Sequence, residues 1–159
     1  MKLKPLFGAL LLAGLLLGLA QAQGDSAVTV MAMENEQFGS YLTDGEGRTL
    51  YLFVNEEMEA GEERMTEGVR GNAAPCAGGC LENWPPVTGE VTAGEGVDAE
   101  LLYTADVDGT MQAVYNGWPL YYFARDAEPG QVNGQGLGRA PTIWYILSPD
   151  GQAITGAGG

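Results

Sequence analysis

The chain has 159 residues, with 21 acidic side chains against seven basic ones and no histidine. Imidazole is the usual general base near neutral pH and the commonest metal ligand, so the composition excludes serine–histidine–aspartate catalysis, histidine-ligated zinc, blue copper and histidine-ligated haem. The acidic excess repels phosphate groups, which excludes nucleic acid and anionic lipid as partners.

The first predicted element is a secretory signal at residues 1–22. Lys2 and Lys4 precede an apolar run from Leu6 to Leu19, and Ala20-Gln21-Ala22 supplies the small-x-small pattern after which a signal peptidase cuts. The run is shorter than the roughly 20 residues that a membrane-spanning helix needs. We therefore expect cleavage, a periplasmic or secreted product, and no stable membrane anchor afterwards.

Residues 23–159 have the length of a single domain, 137 residues (159 minus 22). Both lysines leave with the signal, so this domain carries five arginines against 21 acids, a side-chain charge of −16 (5 minus 21). The simplest interpretation of this charge is solubility and weak self-association. Attraction for cations or for a basic partner is the alternative.

Short runs of β-branched and aromatic residues predict strands in the first half of the domain. A first strand covers residues 25–30 and continues toward Met33. Residues 38–43 and 48–54 flank Asp44-Gly-Glu-Gly47, which predicts a hairpin. Apolar residues occupy both faces of the second arm, so we expect that arm to be covered on both sides.

The next segments lack a strand pattern. The glutamate-rich stretch fits either a short amphipathic helix over Glu56–Glu67, with Met58 and Met65 on one face, or an acidic loop. Gly, Pro and Asn content predicts a loop over residues 72–86, and residues 88–96 are predicted to be a connector.

The second half shows the β pattern more clearly. Tight Asp-Gly and Asn-Gly turns separate three predicted strands of a meander, and two more follow a Gly-rich loop; the five lie at residues 101–107, 111–115, 119–124, 142–147 and 152–155. Many short strands with little helix predict an all-β fold. We expect a single compact domain of two pseudo-repeated hairpin or meander units with long polar loops.

Two segments of the chain repeat each other. Gly47–Glu56 aligns with Gly117–Asp126 at a shift of 70 (117 minus 47), and the shared motif residues are Tyr51, Phe53 and Glu56 in the first copy and Tyr121, Phe123 and Asp126 in the second. We place the first pseudo-repeat at about residues 38–90 and the second at about 101–155. Neither is expected to close a core alone, and each loop after the motif reaches a tryptophan, Trp84 or Trp144.

Cys76-Ala-Gly-Gly-Cys80 contains both cysteines of the chain. In an exported protein the pair favours a disulfide that staples the loop, and chain entropy for a loop of this length predicts roughly 2 kcal/mol of stabilisation at most. The alternatives are a redox pair or a soft-metal site, in which Met58 or Met65 would add a thioether ligand.

The remaining candidates are aromatic and carboxylate side chains. Trp84, Trp118 and Tyr121 are candidate ligand-facing residues, with core packing as the alternative. Glu56 and Asp126 follow their phenylalanines by three residues and are expected to accept backbone N–H groups from the next loop. A hydrolase built on the two carboxyls would need them within about 10 Å of each other. We predict no catalytic residue.

The ordered motifs resemble those of a known family. Gly47–Glu56, Cys76–Pro86, Tyr115–Asp126 and Trp144 are together similar to the bacterial secreted-repeat family of predicted lipoproteins, which carries a Tyr-x-aromatic-x-x-Asp motif. The resemblance implies an exported two-repeat β module without an established activity, sometimes attached to redox or copper-binding domains. Glu56 stands where the first repeat usually has Asp, and the lipid-acceptor cysteine of many members is absent, which favours a soluble product.

These observations predict an exported cell-envelope protein that is a non-enzymatic binding or structural module. We expect no cofactor, and a partner that is either an envelope protein or a small ligand. The alternative function is a redox or copper accessory protein that uses Cys76 and Cys80.

Overall fold

The computed structural model describes residues 27–58 and 63–156 of the chain. The predicted signal segment, residues 1–22, lies outside the described residues. None of the helices in the described ranges is long and apolar enough to cross a membrane.

The described residues form an almost entirely β structure, which confirms the predicted fold class. Nine strands and one short helix occur in the described ranges: β1 Val28–Asn35, β2 Gly39–Asp44, β3 Tyr51–Asn55, α1 Cys80–Asn83, β4 Val91–Ala93, β5 Leu102–Val107, β6 Thr110–Tyr115, β7 Trp118–Pro119, β8 Gly138–Arg139 and β9 Thr142–Ile146.

The strands form three small sheets in the described part of the chain, with orders β2-β1-β4, β3-β9-β8 and β5-β6-β7. Strand β1 runs antiparallel to β2 and parallel to β4. Strand β3 runs antiparallel to β9, with Tyr51 opposite Ile146. Strands β6 and β7 are joined through Asn116 and Gly117, whose φ angles of 49° and 84° suit the two central positions of a tight hairpin turn.

The predicted first hairpin forms only next to its turn. The backbone N–H of Asp44 donates to Arg48 and that of Leu50 donates to Leu42, after which the two arms part. Strand β2 continues beside β1, whereas β3 turns inward to pair with β9. Both faces of β3 are apolar, and this explains the separation. The strand buries more apolar surface when it packs inside the domain than it would beside β2.

Three other predicted segments differ from the structure. The connector at residues 88–96 contains β4, whose parallel pairing with β1 the sequence pattern did not indicate. The loop at residues 72–86 contains α1. The predicted strand at residues 119–124 is shortened: Pro119 lies in β7, but the N–H groups of Tyr121 and Tyr122 donate to Tyr51 and Pro85 rather than to β6, and isolated bridges follow.

The acidic segment and the last predicted strand are also simpler than expected. Residues 56–58 form a turn, residues 63–70 are irregular with a bend at 66–68, and no helix is present in these two ranges. The middle of the predicted helix, residues 59–62, lies outside the described residues. Near the C-terminal end, a single bridge between Leu147 and Ala153 takes the place of a strand at residues 152–155.

Two clusters of buried side chains form the core. The first is mainly aliphatic and includes Leu42, Leu50, Val87, Leu120 and Leu147. The second is mainly aromatic, and its buried members are Tyr41, Tyr51, Cys76, Trp84, Tyr121, Phe123, Trp144 and Ile146. The motif residues Tyr51, Tyr121 and Phe123 therefore lie in the same cluster as Trp84 and Trp144, the two tryptophans that were predicted to return to the core.

Candidate functional site

The two motif tyrosines pair directly with each other. The backbone N–H of Tyr51 donates to the carbonyl of Tyr121 at 2.9 Å, and the N–H of Tyr121 donates back to Tyr51 at 3.0 Å. A reciprocal pair of this kind is the closely spaced pair of an antiparallel ladder. The two aligned segments therefore meet at the residues that the alignment makes equivalent.

Each motif segment also pairs with the segment that follows the other motif. Tyr51 lies opposite Ile146, and Tyr121 lies opposite Pro86. The two partners are separated by 60 residues (146 minus 86), the same shift that relates Trp84 to Trp144. The segments that follow the motifs are thus exchanged between the two halves of the core.

Four aromatic rings form a continuous column between these segments. Trp84 and Trp144 stack at the centre, Phe53 stacks on Trp144 with a centroid distance of 4.2 Å, and Phe123 stacks on Trp84 at 4.3 Å. Aromatic pairs of this geometry contribute about 0.5–1.5 kcal/mol beyond the area that they bury. The column accounts for the motif phenylalanines as packing residues.

The motif tyrosines lie edge-on to the same column. The ring of Tyr51 meets Trp84 at 5.3 Å with an interplanar angle of 78°, and the ring of Tyr121 meets Trp144 at 5.2 Å and 86°. Edge-to-face contact places the positive ring edge against the negative ring face. Both tyrosines are therefore fixed by packing at equivalent places.

Asp126 makes a hydrogen-bond network with Tyr51 across the two motifs. The Tyr51 hydroxyl donates to Oδ2 of Asp126 at 2.6 Å and accepts the backbone N–H of Gly134 at 3.2 Å, while Oδ1 of Asp126 accepts the N–H of Asn133 at 3.0 Å. Burial raises the pKa of Asp126 above its ordinary value, against the hydrogen bonds that lower it. Burial and the Asp126 carboxylate both raise the pKa of Tyr51. The network orders the following loop as a structural unit.

Glu56, the equivalent acid of the first motif, has a different partner. Its Oε1 accepts the hydroxyl of Tyr145 at 2.9 Å. Pro85 occupies the position equivalent to Tyr145 at the shift of 60, and proline offers no hydroxyl. The two motif acids are thus brought to two different tyrosines, and neither arrangement joins the two carboxyls.

A second buried carboxylate, which the sequence did not single out, lies at the end of β2. Asp44 is 3% exposed and accepts the N–H groups of Glu46 and Arg48, the Nε–H of Arg48 and the hydroxyl of Tyr122. The guanidinium of Arg48 also lies 4.3 Å from the centre of the Tyr122 ring. This set closes the Asp44 turn against the second half of the chain.

The cysteines form a disulfide. The Cys76–Cys80 bridge closes the predicted loop, and the N–H of Trp84 donates to the carbonyl of Cys80 at 2.9 Å. The bridge therefore fixes the helical turn that delivers Trp84 to the aromatic column. In this form neither sulfur is a thiolate ligand for a metal.

The methionines of the soft-metal alternative lie at separate places. Met65 lies against Gly117, where an added Cβ would come within 2.5 Å of its sulfur. Met58 is exposed and lines a surface cavity. Within the described ranges, no group of three or more cysteine and carboxylate side chains could hold a metal ion.

Two cavities lie beside the ends of the two motifs. The Glu56 cavity has a volume of about 390 Å³, and its walls include Val54, Glu56, Met58, Asn72, Trp118 and Tyr145. The Asp126 cavity has a volume of about 250 Å³, and its walls include Arg48, Pro85, Tyr122, Ala124 and Asp126. Val54, Glu56 and Trp118 align with Ala124, Asp126 and Arg48 at the shift of 70, so the cavities occupy equivalent places.

The wall of the Glu56 cavity includes a largely buried asparagine whose side chain has no protein partner within the described ranges. Asn72 is 3% exposed, lines the cavity, and makes no side-chain hydrogen bond within the described residues. No side-chain nitrogen or oxygen in those residues is both sealed from solvent and unsatisfied, so the polar atoms of the Asn72 side chain retain some contact with solvent. A ligand group that hydrogen bonds to this amide would take the place of water.

The three candidate ligand-facing residues are largely buried. Trp84 lies inside the aromatic column, whereas Trp118 borders the Glu56 cavity and Tyr121 borders a third cavity next to Pro119. Asn72 and Tyr145, which complete the Glu56 cavity, were not predicted. Asn72 is a polar residue in a Gly-rich loop, and the sequence carries no signal that such a residue lines a cavity. Tyr145 could have been found by aligning it with Pro85 at the shift of 60, because only Tyr145 offers a hydroxyl group.

Comparison with known proteins finds a match to a family model for one part of the chain. The chain matches no curated protein and no solved structure. Residues 104–148 match the model of a family described as a secreted repeat of unknown function. This region contains the second motif, with Tyr121, Phe123 and Asp126, together with Trp144.

Proposed function

We propose that the chain is an exported, non-enzymatic binding module of the cell envelope, and that the Glu56 cavity is its ligand site. The family description of residues 104–148 supports export, as does the predicted signal at residues 1–22. The same two observations support a periplasmic or secreted location.

The contacts of the reactive side chains support a binding role rather than a catalytic one. Tyr51 and Asp126 hydrogen bond to each other, Glu56 is held by Tyr145, and the cysteines are joined to each other. Each of these groups therefore has a structural task. None of them requires a reaction to explain its position.

The observation that carries the proposal is the amide of Asn72. Asn72 is 3% exposed as a residue, it lines a cavity of about 390 Å³, and its side chain has no hydrogen-bond partner within the described residues. Aromatic and aliphatic walls around a few convergent polar groups are the usual composition of a small-molecule site. The Asp126 cavity is smaller and contains a cation of the chain itself, Arg48.

Protein-observed NMR tests the proposal. The exported chain, labelled with ¹⁵N, is titrated with four probes: benzylammonium, benzyl alcohol, benzoate and N-acetylglucosamine. We expect at least one probe to shift the side-chain amide signals of Asn72 and the indole N–H signal of Trp118. The Nε–H of Arg48, in the Asp126 cavity, is the control signal and should not move. If all four probes leave the Asn72 and Trp118 signals unchanged, the Glu56 cavity is not a ligand site.

Elemental analysis and thiol counting test the redox and copper alternative. The disulfide between Cys76 and Cys80 predicts no free thiol and no stoichiometric copper in protein isolated from its own compartment. Free thiols or bound metal in that protein would favour the alternative.

A further inference from the structure

The charge of the Glu56 cavity favours one class of ligand. Two carboxylates, Glu56 and Glu57, line the cavity, and neither arginine nor lysine is among its described lining residues. We propose that the cavity binds a small organic amine in its ammonium form. This inference rests on the proposed function and specifies the ligand of the same site.

The carboxylate of Glu56 is held in place with one oxygen available. Its Oε1 accepts the hydroxyl of Tyr145 at 2.9 Å, and its Oε2 has no protein partner within the described ranges. An ammonium group has three N–H donors and no acceptor. Oε2 of Glu56 can accept one of these donors and the carbonyl oxygen of the Asn72 side chain another.

The equivalent cavity contains a cation supplied by the chain. Arg48 in the Asp126 cavity stacks on Tyr122 and pairs with Asp44 at 2.8 Å. Trp118 stands at the aligned position in the Glu56 cavity. Replacing a guanidinium by an indole removes the internal cation and leaves an acidic, partly apolar site that a cation from outside can neutralise.

The apolar walls select an amine with an apolar body. Val54 and Trp118 are both buried and border the cavity together with Ala153. Apolar surface removed from water contributes about 25 cal/mol per Å² to binding. A hydrophobic group attached to the ammonium would therefore bind more tightly than ammonium ion itself.

Other ligand classes fit the cavity less well. A sugar ring stacks on an open aromatic face, but Trp118 is 5% exposed and one of its faces is 5.5 Å from the guanidinium carbon of Arg70, while Tyr145 is 7% exposed. A carboxylate or phosphate would meet Glu56 and Glu57 and would be repelled. A metal ion would find no group of three ligands among the described residues.

The test compares benzylammonium with benzyl alcohol, which has nearly the same shape and no charge. Dissociation constants are measured from the Asn72 and Trp118 signals for the native chain, for Glu56→Gln and for Glu36→Gln. The last variant loses the same charge at an exposed site on the β1–β2 turn and serves as the control. We expect benzylammonium to bind the native chain at least tenfold more tightly than benzyl alcohol, and Glu56→Gln to weaken benzylammonium roughly tenfold, as loss of a charged hydrogen-bond partner does.

The outcomes separate this inference from the proposed function. If benzyl alcohol binds the native chain as tightly as benzylammonium, the cavity is a ligand site but not an ammonium site. If Glu36→Gln weakens benzylammonium as much as Glu56→Gln does, the effect is one of net charge and the assignment to Glu56 is wrong. If neither probe moves the two signals, both proposals fail.

Discussion

The indole rings of Trp84 and Trp144 stack face to face, with centroids 3.8 Å apart and planes 4° from parallel. The two tryptophans follow different copies of the motif, so their contact joins the two halves of the chain. Each is also covered on its outer face by the phenylalanine of the opposite copy. The stability of the whole domain should therefore depend on either ring.

Trp144→Ala removes the central contact of this column. Deletion of a buried tryptophan side chain typically lowers the free energy of unfolding by about 3–5 kcal/mol. Urea denaturation followed by circular dichroism measures the change. Trp144→Phe keeps one aromatic ring in place and should lower stability less, by about 1–3 kcal/mol. A loss below 1 kcal/mol for Trp144→Ala would show that the column does not stabilise the fold.

The disulfide prediction concerns a short closed loop. Replacing Cys76 and Cys80 together by serine should lower the free energy of unfolding by roughly 2 kcal/mol, because a loop of five residues, counted from Cys76 to Cys80, releases little chain entropy. The variant should still fold, and its urea midpoint compared with the native chain measures the loss. A variant that fails to fold would show that the bridge contributes more than chain entropy.

Asp44 and Glu46 provide a matched pair of acids, since both approach Arg48. Asp44 accepts four hydrogen bonds in a buried place, while Glu46 is a mostly exposed partner 3.3 Å from the guanidinium. Asp44→Ala should lower stability by about 1–3 kcal/mol, because it leaves buried donors unpaired. Glu46→Gln should change it by less than about 1 kcal/mol. Equal losses in chemical denaturation would contradict the assignment of Asp44 as the structural acid.

The pKa of Asp126 makes a prediction about acid conditions. Burial raises this pKa above the ordinary value of 3.8, so the folded chain holds the proton to higher pH than the unfolded chain does. The stability contribution is complete below pH 3.8 and is lost as the pH rises through the folded pKa. Asp126→Asn cannot titrate and lacks this contribution.

Denaturation of both chains at several pH values measures the effect. The stability of the native chain relative to Asp126→Asn should fall as the pH rises from 3.8 into the interval just above it. A relative stability that increases over the same interval would mean that the hydrogen bonds from Tyr51 and Asn133 outweigh burial.

The tyrosines make the corresponding prediction at alkaline pH. Burial is the main cause that raises the pKa of all seven tyrosines of the chain above the ordinary value of 10.0. The stability that they contribute is complete below pH 10 and is lost as the pH rises through the folded pKa values.

Absorbance of the phenolate form follows this titration directly. In the folded chain we expect ionisation to begin above pH 10 and to accompany alkaline unfolding, whereas in concentrated urea all tyrosines should ionise together near pH 10. A tyrosine that titrates at or below pH 10 in the folded chain would show that its ring is more exposed than the structure has it.

The local elements were predictable from the sequence because strand patterns and turn residues act over a few neighbours. Residues 142–147 and the Asn116-Gly117 turn are examples. The pairing of β3 with β9 and the parallel pairing of β1 with β4 were not predictable, since these contacts join distant parts of the chain and are decided by the packing of whole strands.

The candidate site was predictable only in part for a related reason. Glu56 and Asp126 are predictable as a pair because they occupy the same position in the two aligned motifs. Their hydrogen-bond partners are not predictable in this way, because they depend on which nearby side chain carries a hydroxyl group. Tyr145 has one and Pro85 does not, so the acids of the two motifs bind different tyrosines. Asn72 has no counterpart in either motif, and only its burial beside an open cavity draws attention to it.

The exchange that places Tyr51 opposite Ile146 and Tyr121 opposite Pro86 has a consequence for shorter proteins. A chain with one motif and its following tryptophan would have no opposite copy with which to complete the aromatic column. Two such chains could complete it by exchanging their tails around a twofold axis. The present chain carries both copies in one polypeptide, so it needs no such exchange, and its two motif cavities can differ, with Arg48 in the wall of one and Trp118 in the wall of the other.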